Sequence, residues 1–421
     1  MILKYKENSD FSKGWVKMDL MKKSLEMHEQ YGGKMEIRSK VPVQDTYDLS
    51  LAYSPGVAAP CLEIEKNPSK VYDYTMKGNL VAIVTDGTAV LGLGDIGPEA
   101  ALPVMEGKAL LLKRFGNVDA VPICLNSKDV DEIVQAVKMI APTFGGINLE
   151  DISAPRCFEI EDRLRAECNI PVFHDDQHGT AIVVGAALIN AIKLVKKEVA
   201  SMKVVINGAG AAGIAILRIL IQMGYTNVVM CDTKGIIYSG RPEGMNPIKD
   251  GVANLTNPDG LRGSLDEALV DADVFIGVSF ANLLTEAHIK SMAADPIVFG
   301  LANPNPEITQ ANAKKWGVRI VGTGRSDYPN QINNMLAFPG IFRGALDVRA
   351  TDINEAMKLA AVEAIASLVT EAELNDDFIV PGSMDERVAG VVAKAVGSAA
   401  IDSGVSDLFQ QPDVVKETIA I

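Results

Sequence analysis

Positive charge is what this sequence is short of: 40 Lys and Arg stand against 54 Asp and Glu, a formal charge of -14 at pH 7. A nucleic-acid backbone and an anionic membrane are both polyanions, so neither is expected as the main partner. Cysteine is scarce as well. The five present, Cys61, Cys124, Cys157, Cys168 and Cys231, include no C-x-x-C spacing, which argues against a zinc ribbon or a disulfide framework and predicts free thiols in a reducing, cytoplasmic setting. Residues 1–10 carry mixed charges and no apolar core, so no secretory signal or anchor is expected there. The apolar run 181–195 is interrupted by Gly185 and Asn190 and falls short of a membrane span. Internal repeats and low-complexity tracts are missing too. With 48% hydrophobic, 22% charged and 5% aromatic residues the composition is that of an ordinary soluble protein with ample core material. A chain of 421 residues predicts about two or three domains.

What is present falls into three stretches. Residues 18–31 carry Leu20, Leu25 and Met27 at helical spacing and stop at Gly32-Gly33, an amphipathic arm. The apolar run 80–85 enters the turn pair Asp86-Gly87 and resumes at 90–93, which predicts a hairpin. A helix over 102–115 is followed by strands at 120–125, 146–149 and 171–173, alternating with helices at 130–140 and 158–166. Parallel strands demand that order of their crossovers. After a long helix over 180–197 a second series begins, with strands near 203–207, 228–232, 274–278, 297–301 and 320–322. Segments 352–369 and 387–401 are Ala-rich and helical, suited to packing or a dimer surface, whereas 245–259 reads as a solvated loop without chemistry. The predicted fold class is α/β: an N-terminal α/β domain over 1–160 and a Rossmann-type domain over 161–398. The latter is a doubly wound parallel sheet, core 201–323, with C-terminal helices, and a tail occupies 399–421.

Two pairs of adjacent acids, Glu150-Asp151 and Asp175-Asp176, stand where strand-like runs end. They present hard oxygen donors of the kind that hold a catalytic divalent cation. A single Asp in such a place is ordinarily a helix cap or first-turn residue; two adjacent pairs tip the balance toward a metal. His174 and His178, four apart, resemble a helix-borne zinc pair, but no Glu follows His174 and carboxylates suit magnesium or manganese better. The histidines are assigned to hydrogen bonds behind the carboxylates.

The loop Gly208-Ala209-Gly210-Ala211-Ala212-Gly213 follows Val204-Val205-Ile206 and opens a helical run, the strand, G-x-G-x-x-G, helix context that binds a dinucleotide. Asp232 ends the next strand about 20 residues on, where an acid can hydrogen-bond a ribose hydroxyl. It leans the cofactor slightly toward NAD over NADP, while Lys234 and Arg241 stand near enough in sequence to meet a 2'-phosphate.

A nicotinamide that accepts hydride and a divalent metal that stabilises an enolate would together support oxidation with loss of carbon dioxide, given a base and an acid. Lys108 lies within an otherwise apolar helix, where burial lowers an ammonium pKa, although most helix-start lysines merely snorkel. Tyr53 precedes a Pro-Gly turn that can aim its hydroxyl, and packing is the commoner role of such a tyrosine. Spacing does not choose between these roles.

Over nearly its whole length the chain resembles the small bacterial-type malic enzymes. The resemblance is carried by Ala52-Tyr53-Ser54-Pro55-Gly56-Val57, Val84-Thr85-Asp86-Gly87, Leu91-Gly92-Leu93-Gly94-Asp95, Gly107-Lys108, Leu149-Glu150-Asp151, the run from Phe173 through Thr180, the glycine loop, Ala302-Asn303-Pro304 and Asn333-Asn334. It implies that Glu150, Asp151 and Asp176 bind Mg2+ or Mn2+ and that Asp175 orients Lys108. Lys108 would be the base at the C2 hydroxyl of L-malate and Tyr53 the acid at C3. Asn303 and Asn334 would hold substrate carboxylates and the carboxamide end of NAD or NADP. A homodimer is implied as well. One departure is Thr88-Ala89, where larger relatives carry an arginine that grips malate; Arg156 or Lys108 is the candidate replacement. A metal-dependent oxaloacetate decarboxylase is the alternative activity for this scaffold, and a nucleotide sensor is a second one that the acid pairs and Lys108 disfavour.

Overall fold

The computed structural model describes residues 10–90 and 92–410. Leu91 and the tail residues 411–421 lie outside them. Ten strands are described: β1 (Leu80–Thr85), β2 (Asp119–Cys124), β3 (Gly146–Leu149), β4 (Val172–His174), β5 (Lys203–Asn207), β6 (Asn227–Asp232), β7 (Gly235–Ile236), β8 (Val274–Gly277), β9 (Ile297–Gly300) and β10 (Ile320–Thr323). They build two sheets. The first is parallel in the order β2-β1-β3-β4, and the second runs β10-β9-β8-β5-β6-β7 with only the short edge strand β7 antiparallel. The α/β class with a Rossmann-type sheet follows the expected alternation.

The expected hairpin does not form. β1 pairs in parallel with β2 on one side and β3 on the other, so both its edges are taken; Val90 instead closes a small turn with Gly94. All six β1 residues are buried. A run buried on both faces is the signature of a central parallel strand, and the Asp-Gly pair here leaves the sheet rather than reversing along it.

Side chains alternate between the faces of each sheet. Leu80, Ala82 and Val84 pack with Ile147, Leu149 and Val172 on one side of the first sheet. Val81 and Ile83 point the other way, into a core shared with Val204 and Ile206 of the second sheet. The helix Asp175–Val195 runs through this shared core, packed against the helices Ala211–Gln222 and Glu355–Ser367. At 21 residues it is long and apolar enough to cross a membrane, contrary to the run-length reading above, but most of it is buried inside the protein. An all-round apolar helix in a large soluble core looks the same by composition. The helices Phe338–Asp347 and Arg387–Asp402 meet closely: a Cβ on Gly344 would stand 2.4 Å from the Ala393 carbonyl oxygen.

The amino-terminal stretch is different. The amphipathic arm is the helix Asp10–Tyr31, and none of the residues in the following helices Thr46–Ala52 and Ala58–Lys66 is buried. Leu20, Leu25, Tyr31, Ile37, Tyr47 and Tyr53 are all exposed.

Candidate active site

The register of β3 on β4 sets Leu149 against His174. One residue further, Glu150 and Asp175 are therefore neighbours across the carboxyl ends of two parallel strands, the place where open α/β sheets hold ligands. Lys108 reaches the same point from the helix Pro98–Gly116. Its Nζ donates to Asp175 Oδ2 at 2.5 Å and pairs with Glu150 Oε1 at 2.8 Å. The ammonium also lies 4.2 Å from the centroid of the Phe338 ring. Lys108 is thus neither a snorkelling nor a lowered-pKa lysine in this state. Burial would push its pKa down, but Asp175, Glu150 and Asp176 outweigh it and hold the group above the ordinary lysine value. Burial raises the carboxyl pKa values of Glu150, Asp176 and Asp175, the last to about 7. Lysine and carboxyls thus shift in the same direction, the carboxyls mainly by burial and the lysine by the carboxylates around it.

Glu150, Asp151 and Asp176 each offer a carboxylate oxygen within 4.8 Å of the others. Oxygen ligands bind Mg2+ or Ca2+ at roughly 2.0–2.6 Å, so two ligands of one ion lie at most about 5 Å apart. The donor set fits a hard divalent cation by both chemistry and spacing. It is also held in place: Asn148 Nδ2 donates to Glu150 Oε2 at 2.9 Å and the Asp151 N–H to Asp176 Oδ2 at 2.8 Å. Asp151 itself sits at φ 54°, in the left-handed region.

One glycine and two acids support this arrangement. A Cβ at Gly179 would fall 1.9 Å from Asp175 Oδ1, so only glycine leaves room for that carboxylate. Glu161, which the sequence did not single out, accepts from the His174 N–H at 3.1 Å, from Gln177 Nε2 at 3.0 Å and from His178 Nε2 at 2.8 Å. It pins the turn that carries Asp175 and Asp176. Burial works against its charge, yet His178 and its other partners hold it at about 2. Of the two histidines only His178 makes the expected hydrogen bond, to Glu161; the His174 ring is buried with neither nitrogen hydrogen-bonded, its Nδ1 3.9 Å from Asp176 Oδ2. Glu307, also missed, is fully buried and accepts from the N–H groups of Ser279 and Ala302 at 2.9 and 3.0 Å, which fixes the loop bearing Asn303. Its signal was a charged residue inside Pro306-Glu307-Ile308, too weak to read without the sheet.

Arg156 does not serve as a free carboxylate grip. Its guanidinium bridges Asp86 Oδ2 at 2.8 Å, Thr88 Oγ1 at 2.9 Å and Ser153 Oγ at 3.1 Å, lacing two loops together. Asn334 and Asp175 both border Gly179, and Asn303 is exposed. Tyr53 caps the helix Thr46–Ala52 with its ring 69% exposed, and among the described residues it makes no bond to the acid cluster.

At the second sheet the glycine loop follows β5, beside the switch from β6 on one side to β8 on the other. Gly208 has φ 122°, and a Cβ at Gly213 would lie 1.8 Å from the Gly208 carbonyl oxygen, so both must be glycine. Gly210 faces open space, and the N–H groups of Ala211, Ala212 and Gly213 start the helix Ala211–Gln222; Ala209 completes the turn. This cradle fits a dinucleotide pyrophosphate. Asp232 lies at its edge, but its carboxylate is already engaged by Arg241 and Lys249. Residues 245–259 are accordingly not a loop without chemistry: they include the helix Pro247–Ala253, which carries Lys249.

Family models agree with this geometry. The model of the malic enzyme N-terminal domain matches residues 32–165, and that of the malic enzyme NAD binding domain matches residues 177–401. The chain is 63% identical over 400 residues to the bifunctional malic/malolactic enzyme of Bacillus subtilis (strain 168), covering 95% of this chain and 98% of that protein. It is 58% identical over 375 residues to the NAD-dependent malic enzyme of Geobacillus stearothermophilus, covering 89% and 78%. The crystal structure of an NAD-dependent malic enzyme from Thermotoga maritima superposes with a TM-score of 0.86 at 50% identity, covering 89% of this chain and 98% of that one.

Proposed function

Because the chain belongs to the malic enzyme family, we propose that it decarboxylates L-malate oxidatively to pyruvate and carbon dioxide while reducing NAD+ or NADP+. The observation that carries this reading is the buried Lys108–Asp175–Glu150 contact beside three carboxylates spaced for one cation. A cation and a nicotinamide bound here would supply Lewis-acid stabilisation of oxygen charge at C2 and a hydride acceptor.

The protein's own groups do the rest. Glu150, Asp151 and Asp176 would hold Mg2+ or Mn2+, and a cation there would offset negative charge that otherwise keeps the proton on Lys108. Lys108 Nζ is the base for the C2 hydroxyl. Asp175 keeps that amine aimed and Gly179 leaves Asp175 its room. Asn303 and Asn334 orient substrate carboxylates and the carboxamide of the cofactor. The Tyr53 hydroxyl protonates C3 of the enolate left by decarboxylation. We assign the protein to a homodimer, because the exposed apolar residues of the amino-terminal arm and helices form the kind of surface that a second copy covers. Five free cysteines favour a reducing, cytoplasmic compartment.

The test is reduction of each nucleotide by L-malate with Mn2+, repeated after chelation, with pyruvate and lactate both quantified because the Bacillus subtilis relative is called bifunctional malic/malolactic. Metal-dependent nucleotide reduction matched by pyruvate is expected. Decarboxylation of oxaloacetate without any nucleotide reduction from malate would replace this reading with the lyase.

A further inference from the structure

β8 and β9 end side by side on two glycines, Gly277 and Gly300, opposed in the register of the strands. The space they leave is taken by one carboxylate. Cβ atoms at these positions would stand 2.4 Å from Glu307 Cδ and 3.4 Å from Glu307 Oε2. Glu307 has no exposed surface, and among the described residues no lysine or arginine pairs with it. Burial raises its carboxyl pKa above the ordinary value, and only the N–H groups around it oppose that shift. A buried charge without a partner cation is costly, so its contacts define what it is there to hold.

Those contacts join two loops. Oε1 accepts from the Ser279 N–H at 2.9 Å, in the loop after β8, and Oε2 from the Ala302 N–H at 3.0 Å, in the loop after β9. The backbone adds to the clasp: the Glu307 carbonyl accepts from the Leu284 N–H and the Pro306 carbonyl from the Asn282 N–H, both at 3.0 Å. From Ser279 the tie runs on to a third strand end. Asn207 Nδ2 donates to Ser279 Oγ at 2.7 Å, and the Val278 N–H to the Asn207 carbonyl at 3.0 Å, where the glycine loop begins. From Ala302 it runs on to Asn303, whose carbonyl oxygen lies 2.7 Å from the Cβ position of Gly92 in the loop after β1. One side chain therefore fixes both a wall of the dinucleotide cradle and the loop that reaches across to the first sheet.

We propose that Glu307 is a positioning residue for hydride transfer: by holding the loops after β8 and β9 together it fixes the approach of a bound nicotinamide to C2 of a substrate beside Asn303. The inference rests on the reading of the chain as a malate-oxidising enzyme. In that step C2 gives its hydride to the nicotinamide ring and its hydroxyl gives a proton to Lys108, leaving oxaloacetate. Glu307 acts on it through Ser279 and Asn303. A misplacement of about 1 Å between reacting groups costs on the order of 10²-fold in rate. Loss of carbon dioxide from oxaloacetate needs the carboxylate-held cation and no hydride acceptor, so it does not depend on that approach.

Glu307→Gln keeps the shape but offers one acceptor oxygen where two N–H groups each need one. On the protein without nucleotide, amide hydrogen exchange in the segments 278–284 and 300–306 should quicken by about tenfold or more. With L-malate, Mn2+ and nucleotide, kcat should fall roughly 10–100-fold and the isotope effect for malate deuterated at C2 should rise toward its full primary value, while metal-dependent decarboxylation of added oxaloacetate stays within about threefold of the parent. Ser279 is exposed, so Ser279→Ala supplies a folded variant should Glu307→Gln fail to fold; it cuts only the bond to Asn207 and should raise the same isotope effect with about a threefold loss of kcat. An isotope effect that stays at the parent value in the folded variants, or oxaloacetate decarboxylation lost in step with malate oxidation, overturns the positioning role. If the parent reduces neither nucleotide with malate, the oxidative reading itself fails, and this inference with it.

Discussion

Two carboxylate corners of this molecule sit in equivalent places, each at the carboxyl end of a parallel strand, and they carry opposite excess charge. At the ends of β3 and β4, Glu150, Asp151, Asp175 and Asp176 surround the single ammonium of Lys108. At the end of β6, Arg241 and Lys249 flank the single carboxylate of Asp232. The sign of the surplus, not the presence of an acid, is what distinguishes the two corners. An acid at a strand end is therefore an incomplete signal until its partners are known.

The comparison breaks most visibly if the one cation of the first corner is removed. Lys108→Ala should lower malate oxidation by about 10²–10⁴-fold, the usual reach of a general base, while nucleotide binding persists. A variant that keeps full activity would remove Lys108 from the chemistry. Thinning the negative surplus is the next largest change. Asp176→Asn should weaken Mn2+ binding roughly 10–100-fold, with nucleotide affinity far less affected; equal losses in both titrations would point to general misfolding instead.

A smaller effect sharpens the role of the support behind that corner. The folded-state pKa of Glu161 is held at about 2, below the ordinary glutamate value of 4.5. Its stabilisation is thus fully present above pH ~4.5 and is lost as pH falls toward about 2. Glu161→Gln should cost about 2 kcal/mol at neutral pH, and the gap in melting temperature from the parent should narrow on acidification through that window. A gap that stays constant down to pH ~3 would mean that the carboxylate charge contributes nothing. The last test concerns Tyr53, exposed in the single chain. Mixing inactive Tyr53→Phe and Lys108→Ala proteins should restore activity if each site borrows its tyrosine from a second copy, and should restore none if both residues serve the same chain.

Most of the fold was legible because strand and helix periodicities are local. The strands at 146–149 and 203–207 have the predicted bounds, and the glycine loop was readable from six residues. The error at residues 80–93 shows the limit: an Asp-Gly pair is a local turn signal, while pairing is decided by which strands arrive on either side, here β2 and β3 from residues 119–149. The site was half legible. The acid pairs announced themselves by adjacency, but Glu161 and Glu307 are lone acids that matter only through backbone N–H groups from other segments.

The sequence by itself determined the alternation of strands and helices, the cradle for a pyrophosphate and the four acids at two strand ends, because each depends on neighbours within a few residues. Only the tertiary structure decided that Lys108 meets Asp175 across 67 residues, that Gly179 must yield space to that carboxylate, that Arg156 is tied to a loop and that Asp232 is already filled. Those outcomes depend on strand register and on packing between distant segments, and in a buried site such contacts settle the charge and reach of every ionisable group.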